Sequence, residues 1–237
     1  IIVFASLYFF QDKDISYLIV NNDNAVKVDS LIDGTKLWLK SNSEVFVENG
    51  FGIDSRRVKV MGDVYFDVAT DNKIPFYVIT DIATIKVTGT EFQVSYSPSS
   101  KNVEVNVSSG KVQFFNDEDI SSSSCFKTDL VAGEKASFSL ESGEMVKQNQ
   151  TNTNYLFWKT GEIIFKSTPL SGVIKELNEI YNVNIYSSFL MSDRYRLTAR
   201  FFEKDIEDIV NGINDELVDK FKLEEQALLI LENKNAI

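Results

Sequence analysis

Between Val58 and Val94 apolar and polar residues alternate in short runs. Val64, Phe66 and Val68 form one run, Phe76, Val78 and Thr80 a second, Ile85 and Val87 a third, and Phe92 and Val94 a fourth. A period of two, interrupted by turn residues, predicts half-buried β-strands. Val103, Val105 and Val107 continue the pattern, and Ser108-Ser109-Gly110 predicts a hairpin that returns through Val112 and Phe114. Nearer the N-terminus, Leu18–Val20, Ala25–Val28 and Thr35–Leu39 read as further strands, with Asp33-Gly34 as a turn dipeptide before the last. A glycine precedes the alternating positions at Gly34, Gly62, Gly89, Gly110 and Gly133, at intervals of 28, 27, 21 and 23 residues. That spacing fits stacked β-turn-β units, and equally a sandwich whose strands follow glycine turns. The expected class for this part is mainly β: rolled or solenoid-like, or a sandwich.

The period changes after Lys147–Asn154, KQNQTNTN, a polar run whose composition reads as a linker. Thr168-Pro169 predicts a helix start, with Thr168 as N-cap and Pro169 at the first helical position. Leu170, Val173, Ile174, Leu177, Ile180 and Tyr181 then trace one helical face. Burying six such side chains is worth on the order of 10 kcal/mol before chain entropy, so this stripe is core. Asp205 opens a second helix, with Ile206, Ile209, Val210, Ile213 and Leu217 on one face. Strands are expected at Gly161–Phe165, Val183–Tyr186 and Tyr195–Phe201, and a closing hairpin from Phe221, Leu223 and Ala227–Leu231. The order strand–helix–strand, written twice, predicts a small α+β (βαβ-βαβ) domain. The expected boundaries are a β domain over 15–147, a linker over 148–157 and the α+β domain over 158–237.

Charge and composition narrow the partners. The net charge is −11, with a sequence pI near 4.6. Phosphate backbones and anionic lipid surfaces call for clustered Lys and Arg, so no nucleic-acid partner is expected. The chain has no histidine, which removes Ser-His-Asp and Cys-His pairs and the commonest zinc ligand. Cys125 is the sole cysteine, so no intrachain disulfide forms. Asp117-Glu118-Asp119 lacks the spacing of a calcium loop. Asp63, Asp67, Asp71 and Asp81 are acids in number, but the pattern places the first three at turns and solvent faces rather than as a catalytic pair. No catalytic, cofactor-binding or metal-binding residue is therefore expected. Ile1–Phe10, IIVFASLYFF, is too short to span a bilayer, which needs about 20 residues. It is either a buried first strand or the trailing end of a transmembrane helix, with Tyr8, Phe9 and Phe10 at the interface.

Two sets of residues carry a family resemblance. The first is Asp33-Gly34-Thr35-Lys36-Leu37-Trp38-Leu39, Arg57-Val58, Gly62-Asp63-Val64-Tyr65-Phe66-Asp67-Val68-Ala69, Pro75-Phe76 and Thr88-Gly89-Thr90-Glu91-Phe92. It resembles the FecR family, the transmembrane anti-sigma regulators of bacterial cell-surface signalling. The second is Trp158, Gly161, Phe165, Pro169-Leu170, Val173-Ile174, Leu177 and Tyr181. It resembles the short C-terminal domain of FecR-like proteins, similar to the N-terminal domains of secretins and TonB-dependent receptors. Both together resemble the Bacteroidetes branch.

The resemblance implies that residues 1–14 end a single inner-membrane span and its juxtamembrane stretch, with the rest in the periplasm. It implies as partners the N-terminal domain of an outer-membrane TonB-dependent receptor and, through an N-terminal anti-sigma segment, an extracytoplasmic-function sigma factor. The expected receptor contact is the edge of the strand Asn182–Ser187, where Asn184 and Tyr186 face away from the apolar side. Arg194, Arg196 and Arg200 form the basic concentration of an acidic chain, and Arg194 and Arg196 are expected to meet an acidic receptor surface. The alternative is a carbohydrate- or ligand-binding periplasmic β module using Trp38 and Trp158 as platforms.

Overall fold

The computed structural model describes residues 15–117, 125, 127–150, 152–187, 195–221 and 229–232. Ile1–Phe10 lies outside these. The chain divides into two compact units, Ile1–Thr151 and Asn152–Ile237.

In the first unit the alternating runs become strands β1 (Ile15–Asn21), β2 (Lys27–Ser30), β3 (Lys36–Leu39), β4 (Ser43–Glu48), β5 (Arg56–Asp67), β6 (Phe76–Ile79) and β7 (Thr84–Val87). They continue as β8 (Glu91–Ser97), β9 (Asn102–Ser109), β10 (Lys111–Phe115), β11 (Lys127–Val131), β12 (Glu134–Ser139) and β13 (Glu144–Asn149). All belong to one sheet with two limbs that share β5. Its first half, Arg56–Met61, pairs with β4 and β6. Its second half, Gly62–Asp67, pairs with β3 and β8. One limb therefore runs β1-β4-β5-β6-β7-β10-β11 and the other β2-β3-β5-β8-β9-β12-β13. Inward residues of both limbs, among them Val47, Val60, Val78 and Phe114 from the first and Leu37, Phe66, Val94 and Val105 from the second, fill one core. The rings of Phe66 and Phe76 meet edge to face across it at 5.9 Å, and Phe66 stacks on Phe92 at 5.2 Å. The sheet is thus rolled over its apolar face, the mainly β body that the alternation predicts.

The glycine periodicity has a cause that the linear pattern hides. Gly62 lies where β5 passes from one limb to the other. Gly89, Gly110 and Gly133 lie where the chain crosses between limbs, from β7 to β8, β9 to β10 and β11 to β12. At Gly62, φ is +88°, and a Cβ would sit 2.5 Å from Ser43 Oγ and 2.8 Å from Ser43 Cα. Ser43 Oγ meanwhile accepts the Asp63 N–H at 2.9 Å, pinning the bend. Only a residue without a side chain fits there.

The crossing at Gly110 corrects the hairpin expected there. β9 pairs with β8 and β12, while β10 pairs with β7 and β11. Gly110, at φ +83°, sends the chain to the opposite limb instead of back along its neighbour. The polar run read as a linker is also partly strand: Lys147, Gln148 and Asn149 pair with Ala136, Lys135 and Glu134.

The second unit opens with a 3₁₀ turn at Asn154–Leu156 and the short helix α1 (Phe157–Thr160). Then follow β14 (Glu162–Pro169), α2 (Leu170–Tyr181), β15 (Asn184–Ser187), β16 (Arg196–Phe202), α3 (Ile206–Phe221) and β17 (Leu229–Glu232). Strands β14 and β16 pair antiparallel, as do β15 and β17. Leu170, Val173 and Leu177 of α2 and Ile206, Ile209, Val210, Ile213 and Leu217 of α3 share one core with Ile163, Phe165, Ile185 and Leu197. This is the small α+β arrangement that the two helical stripes predict.

Two local expectations shift. The cap of α2 is Pro169, with extended backbone, and Leu170 is its first residue. Thr168 is held in β14 opposite Leu197, so the sheet claims its backbone before the helix can. Of the expected closing hairpin, Phe221 ends α3 and β17 pairs with β15, while Leu223 and Ala227 lie outside the described residues.

Candidate functional site

Asp33, Thr35 and Ala69, which belong to the FecR-like set, gather around Arg56 at the start of β5. Arg56 occupies the inward phase of that strand, two residues before Val58, and its side chain is 3% exposed. Its Nη1 lies 3.2 Å from Asp33 Oδ2 and donates to the Ala69 carbonyl at 2.7 Å. Nε donates to Ile74 O at 2.8 Å and Nη2 to Asp71 O at 3.3 Å. Asp33 is held in turn by its own turn, accepting the Thr35 N–H and hydroxyl at 2.9 Å each. The guanidinium also lies over the Phe76 ring at 5.8 Å. One cation thus ties the β2–β3 turn to the segment 69–74 that leads into β6. A buried charge is tolerated because a carboxylate and three carbonyls replace its water.

That segment is held at both ends. Val68 N–H bonds Thr90 O at 3.1 Å and Asp71 N–H bonds Thr88 O at 2.7 Å. The Asp71 carboxylate accepts the N–H groups of Lys73 at 2.7 Å and Ile74 at 3.2 Å. Those two backbone donors hold its pKa below the ordinary carboxylate value. Arg56 and Asp71, with Asp33, Ala69, Thr88 and Thr90 of the FecR-like set, therefore build a clamp between loops.

Two of the other acids, Asp63 and Asp81, have partners. Asp63 lies 3.9 Å from Lys40 Nζ, and Asp81 accepts the Tyr96 hydroxyl at 2.9 Å. Burial, then that contact with Asp81, pushes the Tyr96 phenol up. An open groove of about 440 Å³ beside Gly62 and Tyr96 has Asp63 and Glu104 on its walls, and Glu104 contacts Lys135 at 3.5 Å. Among the described residues no cluster of three or more His, Cys, Asp or Glu side chains fits a metal ion. Trp38 is half-buried and meets its cross-strand neighbour Tyr65 edge-on at 5.7 Å; Trp158 is half-buried on α1.

In the second unit the exposed backbone edges decide what a partner can reach. Asn178 of α2 accepts the Ile185 N–H at 2.7 Å and donates to the Ile185 carbonyl at 3.4 Å. Both backbone groups of Ile185 are thus turned away from β17 and met by one side-chain amide. Asn214 of α3 does the same to Leu229 of β17, accepting its N–H at 2.8 Å and donating to its carbonyl at 3.2 Å. Asn154 repeats the device on Ile164 of β14, at 2.8 Å and 3.0 Å. Asn154 is itself held by Glu176 at 2.6 Å. Three strand edges are therefore closed by asparagine.

The edge of Asn182–Ser187, expected to accept a partner strand, is accordingly occupied at Ile185. On the same strand Tyr186 is 51% exposed and stands opposite Ile230, 47% exposed. Asn184 is half-buried and lines an open groove of about 440 Å³ with Ser171, Lys175 and Glu179 of α2. Arg196 is exposed on β16 and donates to the Ser167 carbonyl at 2.7 Å. Arg200 pairs with Glu162. Arg194 lies outside the described residues. The structure thus places Tyr186 and Arg196 on different sheets of the unit.

Sequence reasoning missed Arg56 and the three asparagines. The signal for Arg56 was its phase, since it shares the inward parity of Val58 and Val60. The signal for Asn178 and Asn214 was an internal correspondence at 36 residues: Leu170, Val173, Ile174 and Leu177 match Ile206, Ile209, Val210 and Ile213, and Asn178 falls on Asn214.

The side chains described so far brace loops and strand edges. Residues 19–113 match the family described as FecR protein. The chain is similar to two crystal structures of a "putative anti-sigma factor" from Parabacteroides distasonis ATCC 8503, at 1.65 and 2.50 Å resolution. Identity is 25% and the TM-score 0.57 for each, over 92% of this chain and 100% or 99% of theirs. No curated protein matches. The FecR resemblance is borne out over residues 19–113, and the likeness to the two anti-sigma structures supports an anti-sigma regulatory role. No helix among the described residues is long and apolar enough to cross a membrane.

Proposed function

We propose that this chain is the periplasmic, signal-receiving region of a single-pass inner-membrane anti-sigma regulator. Its partner is the N-terminal domain of an outer-membrane TonB-dependent receptor, and the outcome of docking is release of an extracytoplasmic-function sigma factor. Ile1–Phe10 is the end of the membrane span in this reading. The observation that carries it is the likeness, across both units, to the Parabacteroides protein, together with the FecR match. The β roll serves as a rigid spacer, since one core and the Arg56 clamp hold its loops. The α+β domain expected over 158–237, within the second unit, takes the receptor domain. Asn184 and Tyr186 on β15, Arg196 on β16, and Arg194 are its contact residues. Exposed Tyr186 and Ile230 offer apolar area, and Arg196 offers charge in an acidic chain.

The test is capture of residues 1–237 by immobilised N-terminal domains of TonB-dependent receptors from the same genome. Glycan arrays serve as the opposing arm. Retention by one receptor domain and silence on glycans is the expected result. Glycan binding without any receptor partner would move the chain to the carbohydrate-module class.

A further inference from the structure

Three of the four outer strand edges in the second unit are each met at one backbone position by an asparagine side chain, and among the described residues the fourth, that of β16, is not. Tyr195 O accepts the Leu170 N–H at 3.0 Å, and Glu203 N–H reaches Gly161 O at 2.7 Å. The odd-numbered residues of this stretch therefore turn their backbone groups toward β14 and its ends. In an antiparallel ladder the even-numbered ones turn theirs the other way. Arg196, Thr198, Arg200 and Phe202 thus present N–H and C=O to a side where, among the described residues, no strand pairs with β16. The side chains of these four residues are all exposed, Phe202 at 59%. The contrast with β14, β15 and β17 is specific, because each of those is shut by a residue that spends both ends of its amide on one backbone position.

We infer that the outer edge of β16 is a strand-addition site for an extended segment of a protein partner carrying acidic side chains at alternate positions. Main-chain groups of Arg196, Thr198, Arg200 and Phe202 supply the ladder. The acidic requirement follows from the face that the added strand shares. Its outward side chains would stand beside Arg196, whose hydrogen-bond partner within the unit is a neutral carbonyl, and beside Arg200. A neighbour to Phe202 would be apolar. This deepens the receptor reading and rests on it: the added strand is an edge strand of the receptor's N-terminal domain.

Amide hydrogen exchange on residues 1–237, alone and with that receptor domain in excess, tests it without substitution. The expected result is protection gained in alternation at Arg196, Thr198, Arg200 and Phe202, with Ile185 and Leu229 unchanged. Arg200→Pro removes an outward donor that β14 does not use, and should weaken binding by about tenfold. Arg200→Ala keeps the donor and should cost less. Binding that leaves the four amides unprotected, or equal affinities for the two variants, overturns the edge while the receptor reading stands. Failure of the unaltered chain to bind overturns both.

Discussion

Arg56 is held by four acceptors at once. Arg56→Ala would leave the Asp33 carboxylate without its cation and the carbonyls of Ala69, Asp71 and Ile74 without their shared donor. Breaking a buried pair by removing one partner costs about 3–5 kcal/mol. Chemical denaturation of the variant should show that loss, with loosened exchange in the segment 69–74. Asp71 makes a pH-dependent contribution of known sign. Its folded pKa lies below the ordinary 3.8, so its stabilisation is complete above that value and is lost as pH falls through the folded pKa. Asp71→Asn should flatten the decline of the denaturation midpoint between about pH 5 and pH 2 relative to the unaltered chain. An identical decline would place the acid sensitivity elsewhere, for instance at Glu134, whose pKa Lys147 and the Val131 N–H also lower.

At the scale of elements, the asparagine that shuts β15 gives the sharpest expectation. Asn178→Ala leaves one backbone N–H and one carbonyl of Ile185 facing the helix without a partner, at a cost of about 1–3 kcal/mol. Exchange at Ile185 should accelerate, while exchange in the first unit stays as it was. Elements were also where the sequence was most and least legible. The stripes Leu170–Leu177 and Ile206–Ile213 gave both helices, because one apolar face can bury in only one way. The runs around Phe66, Val78, Ile85 and Val94 gave strands for the same reason. Pairing was not legible. Gly110 looks like a hairpin turn in one dimension, and nothing local says that β10 has its partners in β7 and β11. Arg56 was hidden because a charge in an inward phase reads as an exception until its four acceptors, brought from sequence positions 33 to 74, are seen together. The edge-closing asparagines were hidden because their targets, Ile185 and Leu229, are assigned only once the sheets are known.

At the scale of the whole molecule, the proposed function rests on a braced β body and a small α+β unit in which, among the described residues, the outer edge of β16 carries no closing asparagine. The acidic composition and the Arg196 side of β16 fit a partner chosen by surface rather than by a pocket. The most direct measurement is calorimetric titration of residues 1–237 with the N-terminal domain of the TonB-dependent receptor encoded in the same genome. The account predicts saturable binding that weakens as salt rises. Absence of heat with every such domain, at concentrations where one of them would bind, contradicts it.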